Sequence, residues 1–89
     1  DQEQPFAQNM LGYLYAQGLG VQQDNALALA WRRKAAQQDL PEAQFDLGAM
    51  YEKGQGVPQD YALAVQWYRR AAARGYEPAQ QSLDRFMNK

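Results

Sequence analysis

Little in this chain is equipped for covalent chemistry. It has no histidine and no cysteine, which removes the side chain that most often works as a general base near neutral pH, together with thiol nucleophiles and disulfides. The redox compartment is left undetermined. Its single serine, Ser82, is followed by Leu83, Asp84 and Arg85, so the lysine of a Ser-x-x-Lys site is missing. Glu42 and Asp46 stand one helical turn apart, but a carboxylate pair on a helix surface is ordinarily solvated. Gly18 and Gly20, and again Gly54 and Gly56, could suggest a phosphate cradle; no strand precedes them and no Lys-Ser/Thr follows, as a nucleotide loop requires. Asp24 and Asp60 offer one carboxylate per copy without converging ligands, too few for a metal site. The basic residues Arg32, Arg33 and Lys34, echoed by Arg69, Arg70 and Arg74, could draw an anion, yet positive charge is already favoured at the C-terminal half of a helix. These groups read as architecture.

The architecture is a repeat. From Leu11 to Asp46, seventeen of thirty-six positions hold the residue type found thirty-six places on, with the glycines and tryptophans in register. A fixed period of that length marks a helical repeat array, and the chain divides into a polar lead-in over 1–4, a first unit over 5–40, a second over 41–76 and a lone capping helix over 77–89. The lead-in is expected to fray. Pro5 and Pro41 each suit the first turn of a helix. The first helix runs to about Gln17 and buries Ala7, Leu11, Leu14 and Tyr15, which share one face. Gly12, copied as Gly48, costs helix stability of about 1 kcal/mol relative to alanine, which points to a second helix pressed against it. Gly18 and Gly20 then close the helix and turn the chain.

Asp24 and Asp60 are placed to cap the next helix, worth about 1 kcal/mol each. That helix spans about Asn25 to Gln37, with Ala28, Trp31 and Ala35 as its buried stripe and Ala64, Trp67 and Ala71 as the copy. Truncating either tryptophan to alanine is expected to cost about 3 to 5 kcal/mol. Asp39 and Gly75 occupy equivalent helix stops. In the final segment Ala79, Leu83 and Phe86 keep the register of Ala43, Leu47 and Met50, whereas Asp84 replaces the glycine and Met87 the tyrosine, as suits a helix with no successor.

Size and charge narrow the possibilities further. At 89 residues with a formal net charge of −1 and a pI near 5.2, the chain has no bulk attraction for nucleic acid or for an anionic membrane surface. No apolar run approaches the roughly 20 residues of a membrane-spanning helix. The first residue is Asp1 and not Met, which fits either a trimmed chain or a mature form from which a leader has been removed; the second is favoured here, with an exported or periplasmic setting.

The combination of Ala7, Leu11-Gly12, Tyr15, Gly18-x-Gly20-Val21, Asp24, Ala28, Trp31 and Ala35-Ala36, with its second copy, resembles the Sel1-like repeat family, relatives of the tetratricopeptide repeats, over about residues 5–83. The resemblance implies an all-α fold, a right-handed α/α superhelix of antiparallel helix pairs, here about five helices. It also implies a bacterial interaction module, an adaptor or scaffold that takes a protein or peptide on its concave face, needing no cofactor or metal. Three other functions are weighed beside it: an envelope immunity protein that neutralises a toxin, a self-assembling structural repeat, and a small hydrolase of the kind described for some cysteine-rich relatives. The hydrolase is disfavoured by the missing nucleophile and base. Positions that match between the copies are explained by architecture, so partner contacts are assigned to side chains that differ on the open face of the first helices. These are Asn9, Tyr13, Ala16 and Gln17, then Phe45, Ala49, Glu52 and Lys53, and in the last helix Gln81, Arg85 and Asn88. Tyr13 and Phe45 are the expected anchors, since aromatics and arginine dominate binding hot spots; a contact between repeats is the alternative use of either ring.

Overall fold

In the computed structural model, which describes residues 3–87, the helices are α1 (Glu3–Gln17), α2 (Asn25–Gln37), α3 (Pro41–Lys53), α4 (Tyr61–Ala73) and α5 (Glu77–Met87), and no strand occurs among the described residues. Their limits follow from local chemistry. Asp24 and Asp60 sit in extended backbone and each accepts a bond at 3.1 Å, from the N–H of Leu27 and of Leu63. One free N–H at each helix start is thereby satisfied. Pro41 opens α3, and α3 ends on a left-handed Gly54 whose N–H donates to the Met50 carbonyl at 2.7 Å. Beyond the first helix of each pair a glutamine folds back on its last turn: Gln23 Nε2 donates to the Ala16 carbonyl at 3.1 Å and Gln59 Nε2 to the Glu52 carbonyl at 2.8 Å. Asp39 is the one non-glycine residue with positive φ among those described, at 66°. It holds the helix stop that Gly75 holds in the second unit, a geometry glycine adopts with less strain.

Each helix packs chiefly against its neighbours in the chain, α1 on α2, α2 on α3, α3 on α4 and α4 on α5. The result is a right-handed α/α solenoid of antiparallel pairs, a slab of 39 × 30 × 16 Å. The apolar core is drawn from α2 to α5, with Ala28, Ala35, Ala36, Ala43, Leu47, Met50, Ala64, Tyr68, Ala71 and Ala79 at its centre. Alanines at the helix contacts let the axes approach, and the few large side chains fill what is left.

Several expectations are corrected. Helix α1 begins at Glu3, inside the expected lead-in, while Asp1 and Gln2 lie outside the described residues. Ala7 is exposed, and Leu11, Leu14 and Tyr15 are half-buried, whereas their counterparts Ala43, Leu47, Met50 and Tyr51 are buried. The reason is positional: α3 is covered from both sides by α2 and α4, but α1 packs chiefly on α2. Trp31 and Trp67 are half-buried and outside the buried core, although Trp67 packs against its edge. The place expected for them is taken by the next residue in each helix, Arg32 and Tyr68, at 9% and 1% exposure. A Cβ on Gly12 would lie 2.7 Å from Arg32 Cγ, and one on Gly48 would lie 2.8 Å from the Tyr68 ring. The helix-interior glycines therefore exist to receive these two side chains. Each indole lies toward the surface under a cation from the following turn, Lys34 at 5.0 Å from Trp31 and Arg70 at 4.7 Å from Trp67. Arg32 is accordingly a packing residue and no part of a solvated basic run.

Candidate partner-binding face

The first helix of each pair contributes to one face, and side-chain bonds link α1, α3 and α5 across it. Asn9 Nδ2 donates to Asp46 Oδ2 at 3.4 Å between α1 and α3, and Arg85 donates to Glu52 at 2.8 and 3.3 Å between α3 and α5. Glu52 also accepts from the Tyr68 hydroxyl at 2.7 Å. One carboxylate thus joins α3, α4 and α5. The arginine bonds hold the Glu52 carboxyl below its ordinary range, against the opposing effect of burial, and the Tyr68 bond adds to the lowering. Burial and then the bond to Glu52 push the Tyr68 hydroxyl upward.

The expected contact residues separate into two groups. Tyr13, Gln17, Lys53 and Gln81 are exposed, and Ala16 and Ala49 are half-exposed. Glu52 and Arg85 are engaged with each other, and Asn9 with Asp46. Phe45 corrects the expectation of a solvent-facing ring, since it packs against Tyr68 and Tyr76 with centroids 5.5 Å apart in both cases. It joins the edge of the core. Asn88 lies outside the described residues. Ser82 is buried.

Two residues that sequence reasoning passed over complete the face. Phe6 and Met10 precede Tyr13 at helical spacing on α1, and the three are 57%, 56% and 46% exposed. Together with Asn9, Glu42 and Asp46 they line a shallow depression of about 310 Å³ between α1 and α3. The signal was present in the repeat. At the three equivalent positions the first unit has Phe6, Met10 and Tyr13 and the second has Glu42, Asp46 and Ala49, so an apolar stripe meets an acidic one across the groove. Burial pushes the Asp46 carboxyl above its ordinary range; Arg32 and the Asn9 bond oppose this, and Glu42 adds to it. Among the described residues no lysine or arginine lies within ion-pair distance of Asp46 or Glu42. The Tyr76 hydroxyl is likewise raised, by burial first and then by Asp46 and Glu42.

Among the described residues no group of three or more potential metal ligands converges, and no helix is long and apolar enough to cross a membrane. Beneath the face, Gln44 is fully buried and ties the α2–α3 connection together, donating to the Ala36 carbonyl at 3.1 Å and to Asp39 at 3.3 Å. What the face offers is shape, apolar contact and hydrogen-bond acceptors.

Comparison with known proteins agrees with this geometry. A Sel1 repeat protein from Oxalobacter formigenes superposes with a TM-score of 0.88 at 46% identity, over 91% of this chain and 33% of that one. The protein c5321, described as a protective antigen present in uropathogenic Escherichia coli strains and displaying the same repeat fold, superposes with a TM-score of 0.86 at 47% identity, over 88% of this chain and 17% of that one. The chain thus spans a third or less of the length of these solved relatives. No curated protein matches it. The family model for the Sel1 repeat matches twice, over residues 5–40 and 41–76, and the chain belongs to the Sel1 repeat family.

Proposed function

We propose that this chain is a protein-interaction module that holds a protein or peptide partner on the face built by α1, α3 and α5, with no chemistry of its own. Sel1 repeat proteins generally act as interaction scaffolds. The observation that supports the assignment to this face is the stripe of Phe6, Met10 and Tyr13, about half exposed on a single helix beside a groove. Large apolar side chains grouped on a surface mark sites that another molecule covers. The adjoining acceptors supply the polar contacts that fix orientation, as the rim of an interface does.

The binding role falls on Tyr13 and not on Phe45. Tyr13→Ala is expected to weaken capture of a partner about thirtyfold, the effect of losing an aromatic hot spot worth about 2 kcal/mol, with the melting temperature unmoved. Phe45→Ala should lower the melting temperature through its lost contacts with Tyr68 and Tyr76. A photo-crosslinking residue placed at position 13, and as a control at Gln66 on the exposed side of α4, would locate the contact directly. Crosslinks from position 66 alone would move the binding surface to the other side of the slab.

A further inference from the structure

We infer that the groove between α1 and α3 is a pocket for a basic side chain, an arginine or lysine presented by the partner. This rests on the assignment of that face to partner binding and adds the chemistry of what enters. The walls suit the aliphatic or planar part of such a side chain: Phe6, Met10 and Tyr13 are exposed on one side of the depression. Arginine and lysine bury their stems against apolar surface while the charged head seeks acceptors, and an aromatic face adds attraction for the cation.

The far side supplies the acceptors. Glu42 and Asp46 project from successive turns of α3 into the same depression, which no lysine or arginine lines. Asn9 holds one Asp46 oxygen through its amide N–H at 3.4 Å, which orients the carboxylate and leaves its other oxygen uncommitted among the described contacts. The charged groups acting on Asp46 are Arg32 from α2, which forms no ion pair with it, and Glu42 from its own helix. An incoming guanidinium or ammonium would offset both the burial of Asp46 and its repulsion from Glu42. A charge-assisted bond made in such a half-buried place is stronger than one on an open surface. The adjoining depression shares Phe6 and Glu42 and adds Asp39, Leu40 and the cationic Arg74, so an extended segment has room to continue past the anchor, with its basic residue favoured on the Asp46 side.

The test uses the full chain, labelled with nitrogen-15, titrated with blocked tripeptides of Gly-Arg-Gly, Gly-Lys-Gly, Gly-Leu-Gly and Gly-Glu-Gly. The basic peptides are expected to shift the backbone amides of Asn9, Tyr13, Glu42 and Asp46, with affinity falling as salt is raised. Glu42→Gln and Asp46→Asn should each weaken that binding roughly tenfold, the loss of one charged contact, while Asp84→Asn on the exposed side of α5 leaves it unchanged. Folding of the variants is checked by circular dichroism; Asp46→Asn should melt no lower than the parent chain, because it removes a carboxylate held in an unfavourable site. If Gly-Leu-Gly shifts the same amides as strongly as the basic peptides, the cation pocket is wrong and the face remains a binding surface. If the basic peptides shift other amides, or bind the Asp46→Asn chain as tightly, the pocket is likewise wrong; the crosslinks from position 13 decide the face separately.

Discussion

Gly12 and Gly48 show how a single missing methyl group sets the spacing of a helix pair. Each is buried mid-helix, where glycine is about 1 kcal/mol worse than alanine, yet each faces a large side chain of the partner helix at a distance no Cβ could share. The two sites differ in what must give way. At Gly48 the neighbour is the rigid, buried ring of Tyr68, itself bonded to Glu52 at 2.7 Å; at Gly12 it is the flexible stem of Arg32. Gly48→Ala should therefore destabilise the fold by about 1–2 kcal/mol net, overpacking outweighing the gain in helix propensity. Gly12→Ala should cost less, because the unbranched Arg32 stem can adjust its torsions where the Tyr68 ring is rigid, although the Ala28 carbonyl oxygen at 3.2 Å constrains it as the Ala64 oxygen does at Gly48. Paired urea melts measure the difference, and equal losses would mean that the rigidity of the neighbour is irrelevant.

At the scale of the element, the turn between the two helices of a pair is written twice in nearly the same residues and does two different jobs. Gly20 and Gly56 have φ values of 75° and 74°, in the left-handed region. A Cβ on Gly20 would meet nothing within 4 Å, whereas one on Gly56 would lie 2.7 Å from the backbone oxygen of Asn25. The second turn rests on the start of α2, in the preceding unit; the first has no preceding unit among the described residues. Gly20→Ala should cost only the conformational strain, about 1–2 kcal/mol. Gly56→Ala should cost clearly more, since backbone of another helix must move. Thermal denaturation of the two variants side by side gives the comparison, and a Gly20→Ala loss as large as that of Gly56→Ala would show that strain alone decides.

For the molecule as a whole, stability is assembled from neighbour to neighbour, as expected of a repeat array, and among the described residues the Glu52 carboxylate joins three helices. It binds Arg85 on α5 and Tyr68 on α4. Because its folded pKa lies below the unfolded one, the stability it contributes is present above the unfolded value and is lost as pH falls through the folded value. Asp46 has the opposite sign: its raised pKa means a penalty at neutral pH that lifts on protonation. Comparing the parent chain with Glu52→Gln isolates the first effect. The parent should lose its advantage as pH falls from neutral through the ordinary glutamate range and below it, followed by denaturant midpoints at each pH; a difference that stays constant on acidification would mean that Glu52 titrates alike in both states.

The number of helices, most of their limits and the Asp24 and Asp60 caps were legible in the sequence, the start of α1 excepted, because they depend on interactions within a few residues. Asp24 and Asp60 bond to N–H groups three residues on, and glycine suits a left-handed stop wherever it is found. Even the need for a close helix contact at Gly12 and Gly48 could be read from their position. What only the tertiary structure decided was which side of each helix met which neighbour. One residue along a helix is a rotation of about 100°, so whether Trp31 or Arg32, and Trp67 or Tyr68, faces inward depends on how each helix is rotated about its axis, which no local pattern encodes. The same limit separates Tyr13 from Phe45 and leaves Ala7 exposed where Ala43 is buried: burial at a repeated position depends on whether another unit lies against it, and that is a property of the stack.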